Sequence, residues 1–377
     1  MTAKPPVVTE LTWAQVHAMR LERHHLVERA PKKDLAKVVG EVGGVQAQLM
    51  SAAELQVAVR VDCSVEDVRD ALWKEKTLVK TWLMRGTLHL IPGKDLPVYT
   101  AAMSKRWVRV NKAWLKFFNV TEAEVWDLTD AIGAALNGKP MTREELIAVV
   151  AQGKSDRLRE ALKSGWGGML KPSARNGKLC FGPNRGQNVT FVRPDAWVGS
   201  WRDVDPEVAI VDVARRYMHA YGPATKEDFA RWWGNWPGVG KAAWAGLESE
   251  LTNVSVEGTK AQMLTPDLKS IPSPSANLSV QLLPLFDPYL LGHNNRDHLY
   301  DPVHRSKVSR TAGWISAVVL ADGAVLGTWS HVAANKTLTI SVVPFKALQA
   351  KVKTEIRGRA ESIAKALDLP KNEVKFV

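Results

Sequence analysis

Cysteine and long apolar runs are scarce in this chain, and each shortage excludes a class of protein. The two cysteines, Cys63 and Cys180, are too few for a disulfide framework and form no CxxC metal motif. No apolar run approaches the roughly 20 residues that span a bilayer. The first ten residues contain two prolines and no apolar core, so we expect no secretory signal. These shortages predict a cytoplasmic protein without a membrane segment.

Basic residues clearly outnumber acidic ones. Lys and Arg total 51 against 39 Asp and Glu, which gives a formal net charge of +12. A surplus of this size favours a polyanionic partner, such as nucleic acid, an anionic membrane surface or an acidic substrate. The lack of a long apolar run weakens the membrane alternative. The 15 tryptophans serve either core packing or stacking against nucleic-acid bases.

The familiar cofactor and hydrolase motifs are missing. The segment from Gly238 to Lys241 lacks the Walker spacing, no GxGxxG follows a predicted strand, and neither GxSxG nor HExxH occurs. His293, His298 and His304 are irregularly spaced and have no cysteine ligand nearby. We therefore expect no cofactor and no metal.

Helices followed by an extended hairpin make up the first part of the chain. A first helix is predicted over residues 9–25, with its N-cap at or near Thr9, and three more follow, at 31–40, at 52–60 and after Ser64. Residues 77–91 are rich in strand formers and have Arg85-Gly86 at their middle, where a hairpin can turn. This order is typical of a winged helix-turn-helix unit, which docks on DNA.

The same order returns twice, and a strand-rich region ends the chain. The second pass has helices at 121–136, from Met141 and at 156–164, and a Gly-rich extended stretch at 170–192; the third has helices at 207–220, from Thr225 and at 239–250, and strands at 253–264. Four strands between residues 280 and 343 and a closing helix at 345–367 follow. The predicted fold is α+β, with three tandem winged units and a C-terminal β-rich region. The boundaries are 1–120, 121–200, 201–265 and 278–377.

Basic side chains concentrate on one predicted helix within residues 101–121. Lys105, Arg109, Lys112 and Lys116 are spaced 4, 3 and 4 apart, which places them on one helical face. Like charges stacked in this way repel each other, and a phosphate backbone alongside would relieve the repulsion. We predict phosphate contact, and the alternative is a solvated face.

Two loop-rich segments carry the remaining basic candidates. The stretch 161–194 has no acidic residue and includes Lys171, Arg175, Lys178 and Arg185. A basic, Gly-rich wing can probe a minor groove or a backbone, and the alternative is a solvated loop. The stretch 293–310 adds Arg296 and Arg305, in a loop that either faces nucleic acid or is structural.

Three segments resemble a known family. They are Gly44-Val-Gln-Ala-Gln48, the stretch from Lys80 to Ile91 (KTWLMRGTLHLI), and the stretch from Leu283 to Gly292 (LPLFDPYLLG). Their sequences and order are similar to those of the crosslink-repair DNA glycosylases of the helix-turn-helix 42 superfamily, over roughly residues 9–345. The resemblance implies three tandem winged-helix units in a C-shaped arrangement around a concave basic surface. It also implies double-stranded DNA with alkylated or crosslinked purines as the partner.

The resemblance assigns a catalytic role to Gln46 and Gln48, because the family motif is Gln, an apolar residue, then Gln or Asp. Without the resemblance, a Gln-Ala-Gln stretch is ordinary helix surface. Two residues two apart share a face only on an extended segment, so we expect irregular structure after Gly43-Gly44. Supporting roles for Arg85, Thr87 and His89 are a hypothesis from their place in the second segment; structural support of the hairpin is the alternative.

Two other functions compete with a glycosylase. A non-catalytic transcription regulator would explain the winged units and the charge, but regulators normally dimerise on palindromic half-sites, and no heptad zipper is visible. A nuclease would require a cluster of metal-binding carboxylates, which the sequence does not show. We therefore expect a monomeric enzyme.

Overall fold

A computed structural model of the chain describes residues 8–104, 110–165, 167–199, 201–273 and 278–377. Within these ranges, five small sheets alternate with helices, so the fold is α+β as predicted. The first range contains strands β1 Thr9–Leu11, β2 Ala30–Pro31, β3 Val45–Gln46, β4 Val61–Asp62, β5 Leu78–Trp82 and β6 Leu88–Pro92, and helices α1 Trp13–Arg23, α2 Leu35–Glu41, α3 Met50–Ala58, α4 Val65–Trp73 and α5 Leu96–Ala102.

The middle of the chain repeats the order of helices and hairpin. Between residues 110 and 199 lie helices α6 Lys112–Phe118, α7 Glu122–Ala135, α8 Arg143–Val150, α9 Asp156–Lys163, α10 Lys171–Arg175 and α11 Pro194–Val198, and strands β7 Met141–Thr142, β8 Cys180–Arg185 and β9 Asn188–Val192. Between residues 201 and 273 lie helices α12 Pro206–Tyr221, α13 Lys226–Trp233, α14 Pro237–Leu247 and α15 Thr265–Leu268, and strands β10 Leu251–Val256 and β11 Thr259–Leu264.

The C-terminal region is built on a five-stranded sheet in the order β12-β13-β14-β15-β16. Its elements are strands β12 Val280–Leu283, β13 Val318–Ala321, β14 Ala324–Ala334, β15 Thr337–Pro344 and β16 Lys371–Phe376, and helices α16 Pro288–Leu291, α17 Arg305–Val308 and α18 Ala350–Ala366. The turn at Asp322-Gly323 joins β13 to β14, as predicted. Helix α18 buries its apolar face, including Ile356 and Ile363, against this sheet.

Of the four other sheets in the described ranges, one is the two-stranded pair β2-β4. The other three share one design, a short strand beside a hairpin. Their orders are β3-β6-β5, β7-β9-β8 and β1-β10-β11. The strand β1 comes from the start of the chain and pairs in parallel with β10, with Thr9 opposite Val254. Residues 9–11 therefore pair with the hairpin of the third group, although they precede the first group in sequence.

Several predicted elements were wrong in detail. Residues 9–11 form a strand, and the N-cap of the first helix is Thr12, whose hydroxyl accepts from the backbone N–H of Gln15. The predicted basic helix over 101–121 is divided, because α5 ends at Ala102 and Asn111 caps a new helix. A short helix, α10, interrupts the predicted extended stretch at 170–192, and the strand β16 was not predicted.

A buried ion pair joins the first part of the chain to the C-terminal region. The two Arg60 Nη atoms donate to the two Asp287 carboxylate oxygens at 2.8 and 2.7 Å, and the side chains are 1% and 0% exposed. Arg60 follows α3, and Asp287 caps α16 by accepting from the backbone N–H of Tyr289. The pair therefore orients two segments that are 227 residues apart.

We expect Arg60→Met to lower the free energy of unfolding by about 3–5 kcal/mol, because it leaves the Asp287 carboxylate buried without its partner. The double variant Arg60→Met/Asp287→Leu should lose less unfolding free energy than the single variant, since no buried charge remains. Urea denaturation measures both. Arg305→Met, which breaks an exposed pair with Asp297, is the control and should cost less than about 1 kcal/mol. A single variant as stable as this control would contradict the prediction.

Candidate active site

Two glycines end α2 and set the strand that carries Gln46. Gly43 and Gly44 have φ values of +72° and +90°, which side-chain-bearing residues rarely adopt. A Cβ on Gly44 would lie 2.9 Å from the Ile91 side chain, so the missing side chain allows β3 to approach β6. The irregular, extended structure expected after these glycines is therefore present. Gln46 pairs with His89 across the strands, and directly opposed residues project from the same face.

Gln46 is held firmly, whereas Gln48 is open to solvent. The Gln46 side chain is 7% exposed, and its backbone carbonyl accepts from Gln56 Nε2 at 3.1 Å. The backbone N–H of Ala47 donates to the Leu88 carbonyl at 2.7 Å, which continues the pairing by one residue. Gln48 follows in a bend and is exposed. The two amides therefore differ in freedom: one is anchored on a strand, and the other can meet a ligand directly.

Arg85 lies beside the Gln46 amide at the tip of the β5–β6 hairpin, where the turn was predicted. Its Nη2 is 3.5 Å from Gln46 Oε1, at the long limit of hydrogen bonding, and 3.1 Å from His89 Nε2. Its Nη1 donates to the Trp232 carbonyl at 2.6 Å. Burial lowers the pKa of Arg85 to about 10, so the side chain stays charged at neutral pH. The site thus contains a fixed positive charge.

His89 is neutral, and its tautomer follows from its partners. His89 Nδ1 lies 3.0 Å from the Thr87 carbonyl, which can only accept, so Nδ1 carries the hydrogen and Nε2 accepts from Arg85. Burial, and then the neighbouring Arg85 charge, lower the pKa of His89 to about 3. The Thr87 hydroxyl donates to the Met84 carbonyl within the turn. His89 therefore orients Arg85, and Thr87 supports the hairpin and the ring.

A cleft, here called the Arg175 cleft, opens beside this hairpin tip. Its volume is about 260 Å³, and its lining includes Arg85, Lys171, Arg175, Trp114, Trp126 and Trp236. Lys171 and Arg175 were predicted on a wing, but both lie on α10 instead. The fold thereby brings two of the predicted DNA-contacting cations next to the hairpin tip that contacts Gln46.

The other predicted DNA-contacting cations have different surroundings. Lys112 and Lys116 are exposed on α6, one helical turn apart, and Lys178 is exposed after α10. Arg185 pairs with Glu145 at 2.6 Å, and Arg305 pairs with Asp297 at 2.7 Å. Arg296 is partly buried and donates to the Ser309 hydroxyl at 2.9 Å. Lys105 and Arg109 lie outside the described residues.

Sequence reasoning missed the groups that hold Gln46 from behind. Gln56 Nε2 donates both to the Gln46 carbonyl and to the Leu285 carbonyl, at 3.1 and 2.9 Å. The Trp232 ring packs over Gly43, and its backbone carbonyl anchors Arg85. Only Leu285 carried a signal, since it belongs to the third recognised segment. Gln56 and Trp232 have no sequence pattern that links them to the site.

Two of the three loop histidines contact Arg20, and the third, His304, stacks on the Phe345 ring. Arg20 Nη2 lies 2.8 Å from His293 Nε2, and Arg20 Nη1 lies 3.1 Å from His298 Nε2. Within the described ranges, no cluster of three His, Cys, Asp or Glu side chains could hold a metal ion.

Comparison with known proteins decides between the competing interpretations. A sequence model of the family described as "DNA glycosylase AlkZ-like" matches residues 39–366, a range that includes all three recognised segments. The chain belongs to this family. It is therefore a DNA glycosylase, an enzyme that hydrolyses N-glycosyl bonds. The regulator and nuclease interpretations are set aside.

Two relatives of this AlkZ-like glycosylase are particularly informative. It is 37% identical over 375 residues to the "Interstrand DNA cross-link repair glycosylase" of Streptomyces sahachiroi, and the alignment covers 97% of this chain and 99% of that protein. The solved structure of "Streptomyces sahachiroi DNA glycosylase AlkZ" matches with a TM-score of 0.87 at 35% identity, over 98% of this chain and all of that chain. Among the described residues, no helix is long and apolar enough to cross a membrane.

The low pKa of His89 predicts a pH dependence of stability for this AlkZ-like enzyme. The pKa of His89 in the folded protein, about 3, lies below its ordinary value of 6.5. The stability that the neutral ring contributes is therefore complete above pH 6.5 and is lost as the pH falls toward 3. We expect the free energy of unfolding of wild type to fall more steeply than that of His89→Gln, by about 2 kcal/mol between pH 6.0 and 4.5. Urea titrations at several pH values test this, and parallel curves would contradict it.

Proposed function

We propose that this glycosylase hydrolyses the N-glycosidic bond of cationic N7-alkylated purines in duplex DNA and unhooks interstrand crosslinks, with Gln46 and Gln48 as its catalytic pair. One observation carries the assignment of the pair: the Gln46 amide is fixed on a short strand beside the buried charge of Arg85, and Gln48 follows it at the surface. The printed name of the Streptomyces sahachiroi relative supports crosslinks as substrates.

The chemistry of the lesion suits a pair of neutral amides. Alkylation at N7 makes guanine cationic, so the base leaves as a neutral molecule when the bond between C1′ and N9 breaks. A water oxygen then bonds to C1′ and loses its proton to solvent. An amide is too weak a base to remove that proton early, but its oxygen can accept a hydrogen bond from the water and orient it. The same dipole stabilises the positive charge that develops on the sugar.

Arg85 and His89 act as positioning residues in this scheme. An amide oxygen has two lone pairs, and Arg85 approaches only one of them, so the other remains for the water. Because His89 is neutral and accepts from Arg85, it holds the guanidinium without cancelling its charge. Among the described residues, no protonated histidine or carboxylic acid is hydrogen-bonded to the Gln46 amide, which agrees with a leaving group that needs no general acid.

The surrounding architecture is proposed to hold duplex DNA across this pair. The three groups of helices with hairpins are winged-helix units in a C-shaped arrangement, and their shared design of a short strand beside a hairpin supports this. The Arg85 contacts with Gln46 and Trp232 bring the first and third units together at the site. All these groups come from one chain, which supports a monomer. The unpaired, buried Cys63 and Cys180 support a reducing cytoplasm.

The exposed cations are the proposed phosphate contacts. Lys112, Lys116 and Lys178 have no carboxylate partner among the described residues, and we retain Lys105 and Arg109 with them as a proposal from sequence. Arg185, Arg296 and Arg305 would first have to leave their present partners, so we expect them to contribute less.

Gln46→Ala and Gln48→Ala should each lower base excision by about 10²-fold or more while most duplex affinity is kept, since the amides orient a water and do not bind the backbone. Single-turnover release of N7-methylguanine, with a binding titration beside it, measures the two effects. Gln349→Ala, an exposed glutamine at the start of α18, is the matched control. A double variant that excises at the wild-type rate would show that the pair is not catalytic.

Lesion choice should follow the charge of the base. The site offers orientation and dipoles but no strong proton donor, so a neutral base would have to leave as an unstable anion. We expect efficient excision from duplexes with N7-methylguanine or an N7-linked crosslink, and little from matched duplexes with hypoxanthine or uracil. Single-turnover assays on the four substrates test this. Rapid release of uracil would overturn the mechanism, whereas activity on the monoadduct alone would restrict the substrate range.

A further inference from the structure

The Arg175 cleft holds positive charge that no carboxylate among its described lining residues neutralises. Arg85, Lys171 and Arg175 all line it, and none of the described lining residues carries a carboxylate. Several other arginines are paired with acids, for example Arg185 with Glu145. Three cations gathered in one partly enclosed space repel each other, so the arrangement costs stability unless an anion joins them.

Arg175 shows the missing partner most clearly. Burial alone lowers its pKa to about 10, and no carboxylate opposes that effect. Its Nε is buried and has no hydrogen-bond partner among the described residues. The guanidinium lies 5.6 Å from the Trp236 ring, which supports the cation from one side without supplying a negative charge. Burial and the adjacent Arg175 charge also lower the pKa of Lys171.

The cleft directly adjoins the tip of the β5–β6 hairpin, which also contacts Gln46. Gly86 forms its wall at a φ of +68°, and a Cβ there would lie 3.0 Å from Arg175 Nη2 and 3.9 Å from Lys171 Nζ. The two cations therefore lie against the bare tip of the hairpin. The preceding residue, Arg85, reaches both the cleft and the Gln46 amide. The Arg85 side chain would therefore link an anion bound here to the Gln46 amide.

We propose that the Arg175 cleft binds one backbone phosphate of the lesion-bearing strand, next to the target nucleotide, with Lys171 and Arg175 as its ligands. This inference rests on the proposed function, which supplies DNA as the source of the anion. A guanidinium presents paired N–H groups that match two non-bridging phosphate oxygens. Because a phosphate is covalently linked to its sugar, holding it fixes how far C1′ lies from the glutamine pair. Lys171 and Arg175 are thus positioning residues.

Neutral methylphosphonate linkages test the site one phosphate at a time. A set of duplexes, each with N7-methylguanine and one methylphosphonate at a different position flanking the lesion, is compared with the all-phosphodiester duplex. With wild-type protein, one position should lower affinity and single-turnover excision by about tenfold or more, as expected for lost hydrogen bonds to a charged group. Arg175→Gln should bind the all-phosphodiester duplex about as weakly as wild type binds the duplex with the sensitive methylphosphonate. A methylphosphonate at that position should not lower the affinity of Arg175→Gln further.

Lys171→Gln changes a less buried residue and provides a second variant in case Arg175→Gln folds poorly. In this variant too, the methylphosphonate at the sensitive position should lower affinity and excision less than it does in wild type. Each variant should reduce the salt dependence of binding, with the slope of log K against log salt smaller by about 0.9 per lost phosphate contact. The control is Arg159→Gln, which removes an exposed arginine paired with Asp156 in the same part of the chain and should behave as wild type.

Two results would overturn the site: a wild-type profile with no sensitive position, or a sensitive position that persists undiminished in both cleft variants. A failure of the proposed function looks different, since wild type would then release no base from the all-phosphodiester duplex. In that case the binding titrations alone still decide whether the cleft contacts a phosphate.

Discussion

The Arg60–Asp287 ion pair is the constraint on which the site depends. It closes the gap between the first helices and the C-terminal region, and Gln56, one helical turn before Arg60, then reaches both the Gln46 and the Leu285 carbonyls. The two charges are buried away from water, so each is stable only while it is hydrogen-bonded to the other. Few other arrangements of these two segments would keep that contact. The strand that carries Gln46 is thereby fixed to a region more than 200 residues away.

Arg85 adds a second constraint from the opposite side. It joins the hairpin tip to α13 by donating to the Trp232 carbonyl. Its guanidinium is buried, and no carboxylate among the described residues pairs with it. The neutral His89 holds it in place, so its charge remains available beside the Gln46 amide and the Arg175 cleft. This setting is positively charged, and no acid is among the described residues that line the cleft. It suits the proposed reaction, in which the DNA backbone brings negative charge and the damaged base is already an activated leaving group.

Local signals explain why much of the fold could be predicted. Ser64, Thr142 and Thr225 each begin a helix with a capping box, and each pattern lies within four residues. The hairpin turns at Arg85-Gly86 and Asp322-Gly323 are equally local. The strand at Thr9 could not be predicted, because its partner Val254 is distant in sequence and Thr9–Leu11 alone also fits the start of a helix. For the same reason β16, which pairs only with β15, had no local signal.

The sequence by itself determined the basic character, the helix-and-hairpin order and the Gln-Ala-Gln segment, because composition, caps and motifs are properties of neighbouring residues. Tertiary structure alone decided which cations have no acidic partner among the described residues and so remain available to bind phosphate. It paired Arg185 with Glu145 across 40 residues, and it gathered Arg175 and Lys171 against Gly86 in a cleft whose described lining has no acid. It also made His89 neutral and placed it against Arg85. Charge and desolvation depend on distance and burial, and these quantities exist only once the chain has folded.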